Sequence, residues 1–241
     1  MATVIAMWSG PRNLSTAMMR SFGARPDCAI LDEPFFAPYL KVTGKEHPGR
    51  QETLAVHETD LSRIAEFCGA SKTDKCYSFQ KHMPHHMLPE FPMDWAKSAK
   101  HFFLIRQPAR VIASYAKGRA EFDLEDLGFA PQRRLFDALT KMTGTTPPVI
   151  SCDDVLESPE VTLNALCEAI DIPFSETMLS WKKGPRAEDG AWAPFWYASV
   201  RDSTGFGLPP SALPTLSGKL EAFETLCQSD YEHLLAHKIS H

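Results

Sequence analysis

The sequence predicts an α/β fold of three layers, a parallel sheet flanked by helices, and three observations predict it. Short apolar runs alternate with helix-length amphipathic segments. The first run leads straight into a Gly- and hydroxyl-containing turn that feeds a helix, as strands do in doubly wound sheets. A chain of 241 residues suits one large α/β domain and leaves little room for two, so residues 1–241 are expected to form a single domain.

The elements follow in order. Thr3–Trp8 reads as the first strand from its β-branched and aromatic content, and Leu14–Phe22 as the helix after the turn, with Gly23 as its natural stop. Cys28–Leu31 is a second short strand. Lys41–Glu52 is polar, contains Gly44, Pro48 and Gly49, and is expected as an exposed loop. Leu54–Cys68 reads as one helix. Cys76–Lys81, Lys100–Ile105 and Pro148–Ser151 complete the strands. Pro108–Lys117, Pro131–Met142 and Pro159–Ile170 complete the crossover helices, Pro108 suiting a first helical position. Lys182–Pro214 is irregular and rich in Gly, Pro and aromatic residues; Trp192, Phe195, Trp196, Tyr197 and Phe206 argue for order. Trp192–Tyr197 is expected either to line a pocket or to pack the core. Leu220, Phe223, Cys227, Tyr231 and Leu234 recur at helical spacing and mark a closing helix over 217–238.

Composition narrows the function. Hydrophobic residues make up 44% of the chain, and 25 basic and 30 acidic residues are mixed along it for a net charge of −5. No nucleic acid and no membrane surface is therefore expected as a partner, and a bound anion must be held by a local cluster. Met1–Trp8 has no basic flank and is too short for a signal peptide or a membrane span. The six cysteines are scattered without a C-x-x-C pair, which fits reduced thiols and a cytoplasmic protein.

Two clusters suit an anion. Ser9-Gly10-Pro11-Arg12-Asn13-Leu14-Ser15-Thr16 leaves the first strand and enters a helix, so backbone N–H groups converge there beside two hydroxyls and the Arg12 charge. The turn lacks the Lys and second Gly of a nucleotide-triphosphatase phosphate loop, which disfavours magnesium–triphosphate chemistry. A bland alternative is a strand-to-helix turn capped by Ser and Asn. The second cluster is Arg106-Gln107-Pro108 at the end of a strand, with Ser114 about two turns into the next helix.

Together these stretches resemble the PAPS-dependent sulfotransferase family. Its first turn reads Lys/Arg-Ser-Gly-Thr-Thr/Ser, and Arg12-Asn13-Leu14-Ser15-Thr16 stands in that place. Its Arg-x-Pro-x-x-x-x-x-Ser stretch matches Arg106, Pro108 and Ser114. Gln80-Lys81-His82-Met83-Pro84 is similar to the family's Lys-Thr-His-Leu-Pro, Ile150–Pro159 to its Tyr-Glu-Asp-Leu segment, and Lys182-Lys183-Gly184 with Gly190-Ala191-Trp192 to its late Arg-Lys-Gly…Gly-Asp-Trp loop. The resemblance implies a P-loop-like sulfotransferase fold and a sulfuryl donor, 3′-phosphoadenylyl sulfate (PAPS). Gly10, Arg12, Asn13, Leu14, Ser15 and Thr16 would hold its 5′-phosphosulfate. Arg106, Ser114, Lys182, Lys183 and Gly184 would hold its 3′-phosphate. Leu14 replaces the family's loop glycine, Ala17 its adenine-stacking Trp and Gln80 its leaving-group Lys, with Lys81 adjacent.

Sulfuryl transfer is physically like phosphoryl transfer, a matter of positioning and of charge on the leaving oxygen. Arg12 is the candidate for that charge. The proton of a hydroxyl or amine of a small-molecule acceptor goes to His82, the leading base by the resemblance, or to its rival Glu33, in Leu31-Asp32-Glu33-Pro34. No metal is implied: Pro84 breaks the helical spacing that His82, His85 and His86 would need to share one. A small-molecule kinase and a non-catalytic nucleotide-binding relative are the competing readings. The acceptor's identity and the oligomeric state, a homodimer included, stay open.

Overall fold

Apolar residues on both faces of a strand require cover on both sides, and Thr3–Ser9 is buried over six of its seven positions. In the computed structural model, which describes residues 2–70, 73–119, 121–209 and 212–240, this strand, β1, is the centre of a five-stranded parallel sheet. The parts of the expected domain and late stretch that fall at Met1, Ser71, Lys72, Ala120, Pro210, Ser211 and His241 lie outside the described residues. The other strands are β2 (Cys28–Asp32), β3 (Tyr77–His82), β4 (Lys100–Ile105) and β5 (Val149–Ser151), in the order β2-β3-β1-β4-β5. Trp8 pairs with His82 and Ser9 with Leu104, so the carboxyl ends of β1, β3 and β4 lie level along one edge. That edge is where an open α/β sheet offers a ligand crevice.

The helices are α1 (Ser15–Gly23), α2 (Phe36–Thr43), α3 (Arg50–Val56), α4 (Leu61–Ala70), α5 (Pro108–Gly118), α6 (Phe129–Thr143), α7 (Cys152–Glu157), α8 (Pro159–Ala169), α9 (Ala193–Trp196), α10 (Ala198–Arg201) and α11 (Lys219–Leu235). Helix α1 packs on β2 and β3, and α11 on β4 and β5 against α5 and α6. Phe22, Phe79 and Phe102 form the seam under α1, the first two rings stacked at 4.3 Å. Among the described residues no helix is long and apolar enough to cross a membrane. All six cysteines are free thiols, five of them buried and Cys76 exposed.

Two local expectations need correction. Lys41–Glu52 is not one loop: α2 runs to Thr43 because Phe36, Tyr39 and Leu40 are buried, and α3 starts at Arg50. Only the segment between is open, bounded by Gly44 and Gly49, both left-handed. Leu54–Cys68 is two helices, not one. Glu58 accepts from the N–H groups of Thr59 and Asp60, and Asp60 from those of Ser62 and Arg63, so side chains replace the helical ladder at the break.

Candidate functional site

The turn after β1 is wound by two residues in left-handed geometry, Arg12 (φ 63°) and Leu14 (φ 58°). Leu14 thus adopts the backbone that a glycine would take freely, with its side chain packed against the core. Helix α1's ladder begins from the Met18 N–H to the Leu14 carbonyl at 3.0 Å, so the N–H groups before it point out of the helix end. Asn13 pins the turn: its amide donates to the Leu104 carbonyl (3.3 Å), and its own carbonyl accepts from the Cys152 thiol (3.0 Å). Gln132 donates to the carbonyls of Trp8 (3.2 Å) and Leu104 (3.0 Å), tying the ends of β1 and β4 together.

Arg106, at the end of β4, donates from Nη1 to the Arg12 carbonyl at 2.7 Å, and Arg12 Nε donates to Ser114 Oγ on α5 at 2.9 Å. The two strand-end clusters are therefore interlocked. Both arginines, with Asn13, Leu14, Ser15, Thr16 and Ser114, line one cavity of about 370 Å³. Partial loss of water and the neighbouring Arg106 charge pull the Arg12 guanidinium below its usual range, though not far enough to lose its proton. Arg106 Nε is buried and finds no partner among the described residues. Two cations side by side, one with an unmet donor, form a receptor for an anion.

The opposite end of the cavity is different in kind. Lys81 is 1% exposed and donates to Asp32 Oδ1 (3.0 Å), Glu33 Oε1 (2.5 Å) and the Tyr197 hydroxyl (2.6 Å). Tyr197 donates on to Asp32, within 2.7 Å of Oδ2, and accepts from Trp192 Nε1 at 2.9 Å. Burial disfavours the Lys81 ammonium, but Asp32 and Glu33 outweigh it and hold its pKa above the ordinary value. Burial pushes the Glu33 carboxyl up, with the Asp32 charge acting in the same sense and Lys81 opposing. Glu33 sits at φ 45°, so three of the four non-glycine residues with positive φ among those described are in this cavity wall. Strain of this kind gathers at sites that need a fixed geometry. Glu33 Oε2 lies 3.7 Å from His86 Nδ1, and burial keeps His86 neutral well below its usual pKa.

Five expected site residues are not brought to the cavity. His82 is 1% exposed and points to the other face of β3, because successive strand residues alternate and Lys81 takes the cavity side. Its ring stacks on Trp8 at 4.6 Å, its Nε2 meets Gln80 Oε1 at 3.1 Å, and burial lowers its pKa to about 3. His82 therefore does not line this cavity, whereas Lys81 and Glu33 do. Lys182, Lys183 and Gly184 also lie outside: Arg186 gathers their carbonyls into a turn. Gly10 packs beneath the turn, where an added Cβ would lie 3.3 Å from the Leu127 carbonyl.

Later residues of the same segment reach the cavity. Ser199, Ser203, Gly205 and Phe206 line the cavity, held by the Trp181 N–H on the Thr204 carbonyl and by Trp181 Nε1 on Ser203 Oγ, both 3.0 Å. Trp192, Trp196 and Tyr197 also line it, and Trp192 and Tyr197 are core residues as well. The segment is anchored by a buried Arg20–Asp189 pair at 2.6 Å, by the Gly190 N–H on Asp32 Oδ2 (3.2 Å) and by the Ala191 N–H on His57 Nε2 (3.1 Å). Sequence reasoning missed Asp32, Gln132 and Ser203. For Asp32 the signal was there, a second carboxylate at the same strand end as Glu33.

Residues 3–225, the whole sheet with all its helices but the later part of α11, match the sulfotransferase domain family. The chain belongs to that family. Its fold agrees with a solved sulfotransferase domain from the curacin biosynthetic pathway, at a TM-score of 0.62 and 15% identity over 100% of this chain and 99% of that one. Two curated relatives from Arabidopsis thaliana are closer in sequence. Branched-chain-amino-acid aminotransferase-like protein 1 is 41% identical over 206 residues, 86% of this chain, and protein 2 is 38% identical over 216 residues, 88% of it. The chain spans only 37% and 38% of the lengths of these two proteins.

Proposed function

We propose that this sulfotransferase-family chain moves a sulfuryl group from PAPS to a hydroxyl or amine of a small acceptor, with Glu33 as the proton acceptor. The observation that carries this reading is the interlock of Arg12 and Arg106 in the wall of one cavity, two cations from separate strand ends that share one site for an anion. The donor set fits the group. Guanidiniums, hydroxyls and a helix N-terminus match an anion with several oxygens, and the buried, unpartnered Arg106 Nε asks for one. PAPS, when bound, supplies a sulfuryl group already activated by its link to phosphate.

In this reading Arg106 and Ser114 hold the 3′-phosphate. Ser15, Thr16 and the N–H groups opening α1 hold the 5′ end, and Arg12 meets the charge that collects on the leaving phosphate oxygen. Glu33 Oε2 takes the acceptor's proton as the acceptor oxygen or nitrogen bonds to sulfur and the bond from sulfur to the phosphate oxygen breaks. A carboxyl whose pKa burial raises suits that task. The cavity of about 370 Å³ favours a small acceptor beside the nucleotide. Five buried thiols and no disulfide among the cysteines support a reducing, cytoplasmic setting.

The test is radiosulfur transfer from labelled PAPS to a panel of phenols, alcohols and amines. Labelled product that is lost in Glu33→Gln is the expected result. Tight binding of adenosine 3′,5′-bisphosphate without transfer to any acceptor would favour a non-catalytic relative instead.

A further inference from the structure

Neither the anion-holding residues nor the proton acceptor accounts for Lys81. A fully buried lysine is rare and stays only where its charge is matched. An ammonium has three N–H donors, and those of Lys81 reach Asp32 Oδ1, Glu33 Oε1 and the Tyr197 hydroxyl. None is left for a ligand, so Lys81 acts through its partners. The Tyr197 hydroxyl is equally committed: its proton goes to Asp32, and its two lone pairs meet Lys81 and Trp192 Nε1. Asp32 takes in addition the Gly190 N–H. Tyr197 also bears on the Glu33 carboxyl; of its two oxygens Oε1 takes the Lys81 bond, while Oε2 faces His86 Nδ1 at 3.7 Å.

We propose that Lys81 is a positioning residue for proton transfer: clamped by Asp32 and by Tyr197 of the late segment, it fixes Oε1 of Glu33 and leaves Oε2 aimed at the acceptor. This rests on the reading of Glu33 as the base. Two consequences follow from the contacts. Asp32 and Glu33 are adjacent buried carboxylates, and without the cation between them one must take up a proton, which a base cannot afford. Tyr197 lies 116 positions along the chain from Lys81, so the base is complete only when the late segment is docked.

The experiment is a carboxyl-carbon NMR titration of the full chain labelled at glutamate, with the Glu33 signal identified by its loss in Glu33→Gln. The groups facing Glu33 are Lys81, Asp32, Tyr197 and His86, and only the first and third are varied. Lys81→Met is expected to raise the Glu33 midpoint by about 1–3 pH units, the effect of removing an opposite charge at this range. Tyr197→Phe, which keeps the ring, moves it the same way by less. The acid limb of the kcat profile moves with the midpoint, while affinity for adenosine 3′,5′-bisphosphate stays as in the parent chain. Should Lys81→Met not fold, Tyr197→Phe decides. A Glu33 midpoint unchanged in the folded variants overturns the inference alone; sulfuryl transfer that survives Glu33→Gln overturns the base reading and this inference with it.

Discussion

At the Arg12–Arg106 end of the cavity, donors outnumber the acceptors the protein gives them: one guanidinium reaches a hydroxyl, the other a carbonyl, and Arg106 Nε meets no partner among the described residues. At the Glu33 end the charges are closed on one another, with Lys81, Asp32 and Tyr197 answering each other's hydrogen-bonding capacity. The first end is an incomplete electrostatic set that a ligand finishes. The second is a finished set that holds one carboxylate oxygen in place. In the proposed reading, binding and proton transfer are served by opposite degrees of internal satisfaction a few residues beyond the same sheet edge.

Variants that break this contrast should do so unequally. Glu33→Gln is the most severe: it removes the proposed proton acceptor and should slow transfer ~10²–10⁴-fold while leaving bisphosphate binding intact, read by parallel rate and calorimetric measurements. Next is Gly190→Ala in the anchor of the late segment. A Cβ there would fall 2.2 Å from the Trp192 ring, which is 2% exposed and has no room to retreat. The expected cost is about 1–3 kcal/mol, seen as a lower denaturation midpoint.

A pH series sharpens the buried side of the comparison. His82 is held neutral in the fold with its pKa lowered from 6.5 to about 3, so its contribution is fully present above 6.5 and is lost as pH falls toward 3, where the unfolded chain binds the proton first. Stability should drop by up to about 1.4 kcal/mol per pH unit in that window from this group alone. His82→Phe should flatten the slope in urea unfolding at a series of pH values. The smallest effect belongs to Lys182→Ala. This exposed lysine lies outside the cavity, and its loss should change stability by no more than about 0.5 kcal/mol and leave nucleotide affinity unaltered.

The sheet was legible because each strand is a short apolar run between turn signals, and the Arg12 and Arg106 clusters because each sits next to a strand end in sequence. His82 falls outside the cavity for a reason that the strand itself supplies. Neighbouring residues of β3 face opposite ways, and a motif match does not say which of Lys81 and His82 looks into the cavity. Lys182 and Lys183 were misplaced because the course of an irregular segment is set by tertiary anchors, here Trp181 on Thr204 and Arg20 on Asp189, which leave no local periodicity. Tyr197 stood out only as one aromatic residue among several; its bond to Lys81 spans 116 positions.

The central claim is that Arg12 and Arg106 grip one nucleotide from two sides, and calorimetric titration with adenosine 3′,5′-bisphosphate tests it most directly. The account predicts binding to the parent chain and a loss of about 10–100-fold in affinity for Arg12→Ala and for Arg106→Ala separately, the size of a charge-assisted hydrogen bond. No binding to the parent chain, or binding that both substitutions leave unchanged, would contradict it.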